Sequence, residues 1–364
     1  MNLQFFPSRG IALYMAKIFL TRSLAVLFAL VLVLQTLDLL GESGKILAIP
    51  GNGDAQLWHY VSLRFPQLIL RFLPFSVLLG SLIALATLNQ NSEIVSMKAA
   101  GISAHQIIAP LMLASLFVAA LTFVFQERIV TRATATLNAW QAVEYGPLPR
   151  QTGVTSNVWV RYEEDLILAR QVSGRGENAR LAGVTVYDRD GGTLQSVIHA
   201  RTARPERGGW RLEDVERFDL ATTTATRTPS VFIGEGVDPD QFTLAKVRAD
   251  EQDFPTLQDS IEDLKVAGRP TAPLEAGLWH KLSSPLSAVL MPLLAAVAAF
   301  GLARSGQLFL RAVIGMSLGF AYFVADNFAL AMGNFGAYPP MLAAWAPFLL
   351  FLLIGEAVLI RTEE

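Results

Sequence analysis

The sequence predicts a membrane protein of six transmembrane α-helices interrupted by an all-β domain. Three observations predict it. The 364 residues are 52% hydrophobic and 16% charged, against about 25% charged in an ordinary soluble chain. The apolar excess lies in two end blocks, roughly residues 14–128 and 278–360, whose runs have the ~20-residue length that crosses a hydrocarbon core. The intervening stretch, 129–277, has soluble composition, with apolar residues alternating in short runs between turn residues, the pattern of antiparallel strands.

The first 22 residues hold Arg9, Lys17 and Arg22 and no acid. Basic residues ahead of a first span place the N-terminus in the cytoplasm. No small-residue cleavage site follows the first apolar run, so it reads as a retained span. Spans are expected near 14–40, 66–89, 105–127, 280–303, 308–333 and 338–360. Residues 41–65 read as an outer loop with two turns. Gly41-Glu42-Ser43-Gly44-Lys45 lacks phosphate-loop spacing and is followed by Ile46, so it is no nucleotide site. If ATP drives this protein, a partner hydrolyses it. The net charge of −2 argues against nucleic acid, and the absence of cysteine excludes disulfides and thiolate metal sites.

Between the second and third spans, Ser92 to Gly101 form a short mixed helix that cannot enter the bilayer, since it carries Glu93 and Lys98. Ser92 suits the N-cap, Glu93 the positive helix start and Gly101 the stop. Ile94, Met97 and Ala100 or Ile102 lie at helical spacing and define one apolar face. The helix lies across the membrane surface and offers a face to something outside it, or else is a surface hairpin linking two spans.

In the middle region Val158 and Val160, Leu166 and Leu168, Val184 and Val186, and Leu194, Ser196 and Ile198 show period two. This predicts a β-sandwich or roll. Leu257, Ile261 and Leu264 predict a short helix over 256–267 that leads back to the membrane.

The segment Leu78-Leu79-Gly80 followed by Ser92-Glu93-Ile94-Val95-Ser96-Met97-Lys98-Ala99-Ala100-Gly101-Ile102-Ser103 resembles the signature of the LptF/LptG permeases, membrane subunits of the lipopolysaccharide-export ABC transporter. The resemblance covers nearly the whole chain. Trp279-His280-Lys281 before Pro285, and Tyr338-Pro339-Pro340 at the start of span six, are similar to the LptG form. The resemblance implies a coupling helix made of Ser92, Glu93, Ile94, Met97, Lys98, Ala100 and Gly101 that docks on the ATPase LptB. It implies a periplasmic β-jellyroll that stacks edge to edge with similar domains, and partners LptF, an LptB dimer and the single-span LptC. Lipopolysaccharide is the implied substrate, entering a lumen bordered by spans 1 and 5. The implied organisation is spans 1–3 within 1–128, the jellyroll within 129–277 and spans 4–6 within 278–364, in the bacterial inner membrane. No cofactor and no enzymatic activity of the chain's own are implied.

In some family members basic residues near the outer end of span 1 contact lipid phosphates. Here Gln35 to Glu42 holds two acids and no base, so that role does not transfer. Lys45, Arg64, Arg71 and Lys281 are rim cations by location. Gln35, Asp38 and Asp326 are polar groups within spans, which are functional or make interhelical bonds, and with Gly315 and Gly319 they are the candidate residues of the cavity and its gates. Gly315-Met316-Ser317-Leu318-Gly319 matches G-x-S-x-G, but it lies in an apolar helix, where Gly315 and Gly319 serve close helix packing. His59, His105, His199 and His280 form no H-E-x-x-H. Three alternatives remain open: the paralogous LptF-type subunit, another envelope lipid or lipoprotein permease, and a membrane-anchored scaffold that transports nothing.

Overall fold

The computed structural model describes residues 8–147, 155–162, 164–174, 178–206, 208–233, 237, 242, 247–266, 269–301 and 308–361. The chain divides into two compact units: Met1–Gly146 with Ala249–Leu257 and Ala272–Glu364, and Pro147–Arg248 with Gln258–Thr271.

The first unit holds the six helices long and apolar enough to cross a membrane. Helix α1 is Arg9–Leu47 and α2 is Asp54–Gln90. Neither ends where its apolar run ends. At 1.5 Å per residue, 39 residues measure about 58 Å, nearly twice a bilayer core. The expected outer loop over 41–65 is therefore mostly helix, and the turn is confined to 48–53. Its polar residues mark where the helices leave hydrocarbon, not where they end. Asn52 closes the turn by donating to the Ile46 and Tyr145 carbonyls at 2.9 and 3.0 Å.

Helix α3 is Glu93–Ala99 and α4 is Ala104–Phe125. Ser103 caps α4 in a reciprocal box with Gln106. A π-helical turn, Gln126–Val130, joins α4 to α5, Thr131–Ala142. The third helix thus runs past residue 128, and the unit boundary falls after Gly146. Helix α6, Phe254–Val266, matches the expected short helix, with Leu257, Ile261 and Leu264 buried. Asp253 accepts from the Thr256 N–H at its start. The Thr256 hydroxyl, with that contact and against burial, holds the Asp253 carboxyl below its usual range.

Helix α7, Ala272–Ala296, continues into a π turn, Val297–Gly301, and is followed by α8, Leu308–Asn334, and α9, Pro340–Arg361. In its most apolar window α7 is 72% buried, while α1 is 11% buried. α7 is therefore the central post of the unit, and α1 turns Leu24, Phe28 and Leu32 outward. Small residues set the crossings. A Cβ on Gly80 of α2 would lie 2.1 Å from Ser23 Oγ of α1, and one on Gly355 of α9 would lie 2.7 Å from Leu293 of α7. Such contacts let membrane helices pack without a hydrophobic driving force between them.

The second unit is built on one antiparallel sheet in sequential order: β1 Thr155–Tyr162, β2 Asp165–Ser173, β3 Arg180–Asp190, β4 Thr193–Glu206, β5 Gly209–Asp219 and β6 Thr224–Ile233. Val158, Ala169, Val184, Ala200 and Val215 align across five strands and are all buried. In β2 the inward residues are Ile167 and Ala169, and the alternating Leu166 and Leu168 fall on the other face. The register decides this: Val160 faces Ile167, which faces Val186. Leu166 and Leu168 pair instead with Tyr187 and Trp159 on the other face, where those two rings stack 5.8 Å apart. Trp210, fully buried, donates from Nε1 to the Val237 carbonyl at 3.0 Å and meets Phe242 edge-on.

Candidate functional site

Two clusters of polar residues occupy opposite ends of the helical unit. The first surrounds α3. Ser92 does not cap it. Its φ is +60°, and its side chain makes no capping bond. The chain reverses there from α2 into α3, and the left-handed residue the reversal needs cannot also take the extended cap conformation. Ser96 Oγ instead donates to the Ser92 carbonyl at 3.0 Å. The stop is as expected. Gly101 has φ +84°, its N–H donates to the Lys98 carbonyl, and the Ile102 N–H reaches back to Met97, both within 3.1 Å. This pair is the Schellman arrangement.

The apolar face of α3 points the other way from the expectation. Ile94 is 3% exposed, and Met97 and Ile102 pack on the same core. These residues bind α3 to its own unit. The free surface is Ser92, Val95, Ser96, Ala99 and Ala100, with Val95 60% exposed. Glu93 is half-buried and accepts from Tyr14 Oη and Asn91 Nδ2, each at 3.2 Å, so it ties α3 to α1. Lys98 holds its Nζ 5.0 Å above the Phe300 ring.

The second cluster surrounds a cavity of about 660 Å³ among α2, α5, α7 and α8. The structure brings Arg64, Arg71, Lys281 and Asp326 to its walls, and Gly319 deeper in. Lys45 is not on the wall. It stands exposed and pairs with Glu42 at 2.8 Å. Of the four expected rim cations, three are committed to carboxylates. Arg64 forks onto Asp38 with contacts of 3.0 to 3.2 Å, and Asp38 also accepts from Tyr60 at 2.6 Å. Lys281 is 4% exposed and binds Glu127 of the π turn at 2.9 Å. Lys281 is therefore a buried brace on the cavity wall, its charge committed to Glu127. Glu127 also accepts the Phe254 N–H. Arg71 is exposed, and among the described residues it is the cavity arginine with no carboxylate partner.

Asp326 meets His280 at 3.1 Å and joins α8 to α7. Gln35 is buried, and neither amide atom has a protein partner among the described residues. Gly315 and Gly319 press on Leu82 and Leu78 of α2, as helix packing requires. Ser317 between them is exposed on a continuous helix, not on a strand-to-helix elbow. Just beyond α5, Glu144 and Tyr145 both have positive φ. The turn is held by the Tyr145 hydroxyl on Glu42 at 2.8 Å. Burial, with that contact, pushes the hydroxyl up to about 12, against donation from Gln141.

Sequence reasoning missed Glu127 and the outward face of α3. Glu127 lies 154 positions from Lys281, too far for any local spacing rule. For α3, Val95 and Ala99 are apolar as well as Ile94 and Met97, and seven residues carry too little periodicity to choose a side.

What the fold and these sites define is a polytopic membrane protein of permease type, six spans with an all-β insertion after the third. The chain belongs to the family described as "Lipopolysaccharide export system permease LptF/LptG", which matches residues 13–361. It is 28% identical over 361 residues to the lipopolysaccharide export system permease protein LptG of Escherichia coli K12, covering 96% of this chain and 97% of that one, with the same figures for LptG of E. coli O6:H1. Against LptG of Haemophilus influenzae Rd, identity is 25% over 324 residues, covering 86% and 89%.

Proposed function

We propose that this chain is the LptG-type permease subunit of a lipopolysaccharide-export ABC transporter in the bacterial inner membrane. The observation that carries the reading is the family match, which runs unbroken through both helical blocks and the β insertion. The subunit works without hydrolysing ATP, beside an LptF-type permease, a pair of LptB ATPases and LptC. Its termini and α3 are cytoplasmic, and its β unit is a periplasmic jellyroll within 129–277 that receives lipid from the helices. The inward row from Val158 to Val215 supplies an apolar face suited to acyl chains.

Two features refine the reading. α3 has one face fastened to its own unit and the other free, so a push on Val95 and Ala99 passes through Ile94 into α2 and the core that Ile94 joins. The ATPase contact is accordingly assigned to Ser92, Val95, Ser96, Ala99 and Ala100, with Glu93 as a strut to α1. Among the rim residues Arg71 is the phosphate contact, since Arg64 and Lys281 already hold carboxylates and Lys45 stands off the cavity wall.

Co-purification from membranes tests both. Val95→Asp is expected to weaken ATPase retention by about 2 kcal/mol or more, the scale of an interface anchor, without lowering the unfolding temperature. Glu93→Lys should lower both. Arg71→Asp should reduce co-purifying lipopolysaccharide and spare the ATPase. Wild-type ATPase retention in Val95→Asp would remove α3 from the interface.

A further inference from the structure

A second and smaller cavity, about 210 Å³, lies directly beneath α3. Its walls come from α2, from the π turn after α7 and from α8, and Ile94 closes it from above. Among the described residues lining it, Asn89 is the one polar residue. A water molecule needs two to four polar partners to be held in a cavity, so this is no water site. Ile83 and Met316 line it and are 40% and 42% exposed, so it opens sideways toward the surface that lipid tails cover. At its α3 end stands Phe300, a lining residue, with the Lys98 ammonium over its ring. Among the described residues Lys98 has no carboxylate partner. Among the described residues the Asn89 side chain has no hydrogen-bond partner either.

An apolar slot open to lipid tails, with an amide and an unpaired ammonium at the end that meets the membrane surface, has the chemistry of one amphiphile: an acyl chain below and an anionic head above. We infer that this cavity binds one acyl chain of an anionic glycerophospholipid of the cytoplasmic leaflet, with Lys98 and Asn89 at its phosphate. The inference rests on the reading that α3 lies at the cytoplasmic surface. The bound lipid would fill the space under Ile94 and stiffen the seat of α3. The strength of coupling would then depend on the anionic lipid around the complex.

The test uses the complete complex in nanodiscs of phosphatidylcholine containing a small fraction of phosphatidylglycerol with a photoreactive acyl tail. The adducts are mapped by peptide mass spectrometry. Adducts should concentrate on the segments containing Ile83, Ala86 and Met316, and unlabelled phosphatidylglycerol should compete better than phosphatidylcholine. Lys98→Gln should lower labelling about fivefold, the weight of one lysine near an anionic headgroup, and Lys98→Arg should restore it. Ala86→Trp, which fills the slot, should abolish labelling there and leave labelling of α1 unchanged. Labelling spread evenly over the lipid-facing helices, equal competition by the two lipids, or full labelling in Lys98→Gln would each overturn the site. ATPase co-elution is read separately from the same preparations. Its loss in the wild type would count against the functional reading, because the lipid measurement does not need it.

Discussion

The two ends of the helical unit are built by different physics. Around α3 the fastening is mainly apolar: Ile94, Met97 and Ile102 against the core and a glycine stop, with exposed bonds from Tyr14 and Asn91 to Glu93 and a half-exposed contact of His105 with Glu356 at 3.3 Å. At the opposite end the fastening is charged and long-range: Arg64 on Asp38, Lys281 on Glu127, His280 on Asp326 and Tyr145 on Glu42. Apolar contacts are non-directional and can slide. Buried ion pairs hold one geometry and are costly to break singly. The difference teaches that the α3 end can transmit a displacement while the opposite end keeps its cavity in shape.

The comparison breaks most visibly at Lys281. Lys281→Met leaves Glu127 a largely buried carboxylate without its cation, held by the Phe254 N–H, and should cost about 3–5 kcal/mol. Lys281→Met with Glu127→Gln should recover most of that, since glutamine still accepts the Phe254 N–H. Unfolding of the detergent-solubilised protein measures both. Equal losses in the single and double variants would mean that packing, not charge, holds this end.

Next in size is the pair Gly80→Ala and Gly319→Ala. At Gly80 the new methyl meets Ser23 Cα at 2.5 Å and cannot be accommodated without moving α1. At Gly319 it meets only Leu78 Cδ2, the far end of a side chain that can rotate. Overpacking should cost about 3 kcal/mol at the first and about 1 kcal/mol at the second. The same unfolding measurement ranks them.

Asp38→Asn comes third. It keeps an acceptor for Tyr60 but loses the charged fork with Arg64. The pair is half-exposed, with side chains 27% and 22% accessible, so solvent screens it and about 1–2 kcal/mol is expected. Arg64→Lys should lose nearly as much, because an ammonium cannot fork. The smallest effect is at the α3 end. Ser92→Gly removes the strain of a left-handed serine and should stabilise by up to about 1 kcal/mol, with a much smaller loss of ATPase retention than Val95→Asp, since Ser92 sits at the edge of the proposed contact. A loss as large as that of Val95→Asp would make the Ser92 hydroxyl an anchor of the interface.

Much of the fold was legible because a membrane imposes a length and a composition that few other structures share. Six spans, the β insertion and the helix at Phe254–Val266 all follow from runs, alternation and spacing. Gly101 was legible too, because a left-handed helix stop favours glycine. The helix ends beyond the bilayer were not legible, since a polar surface helix and a polar loop have the same composition. That is why residues 41–65 read as loop and α5 went unnoticed.

What the sequence by itself determined is therefore the order of elements, the side-chain chemistry available at each end, and the family signature around Ser92 to Ser103. What only the tertiary structure decided is which charges are spent on each other and which remain free. Lys281 and Arg71 are both cations near span ends, and nothing local separates them. One is buried against Glu127, 154 positions away, and the other faces an open cavity. The same holds for α3, where Ile94 turns in and Val95 turns out. The direction was set by the core that Ile94 joins beneath it, and no seven-residue segment encodes its neighbours.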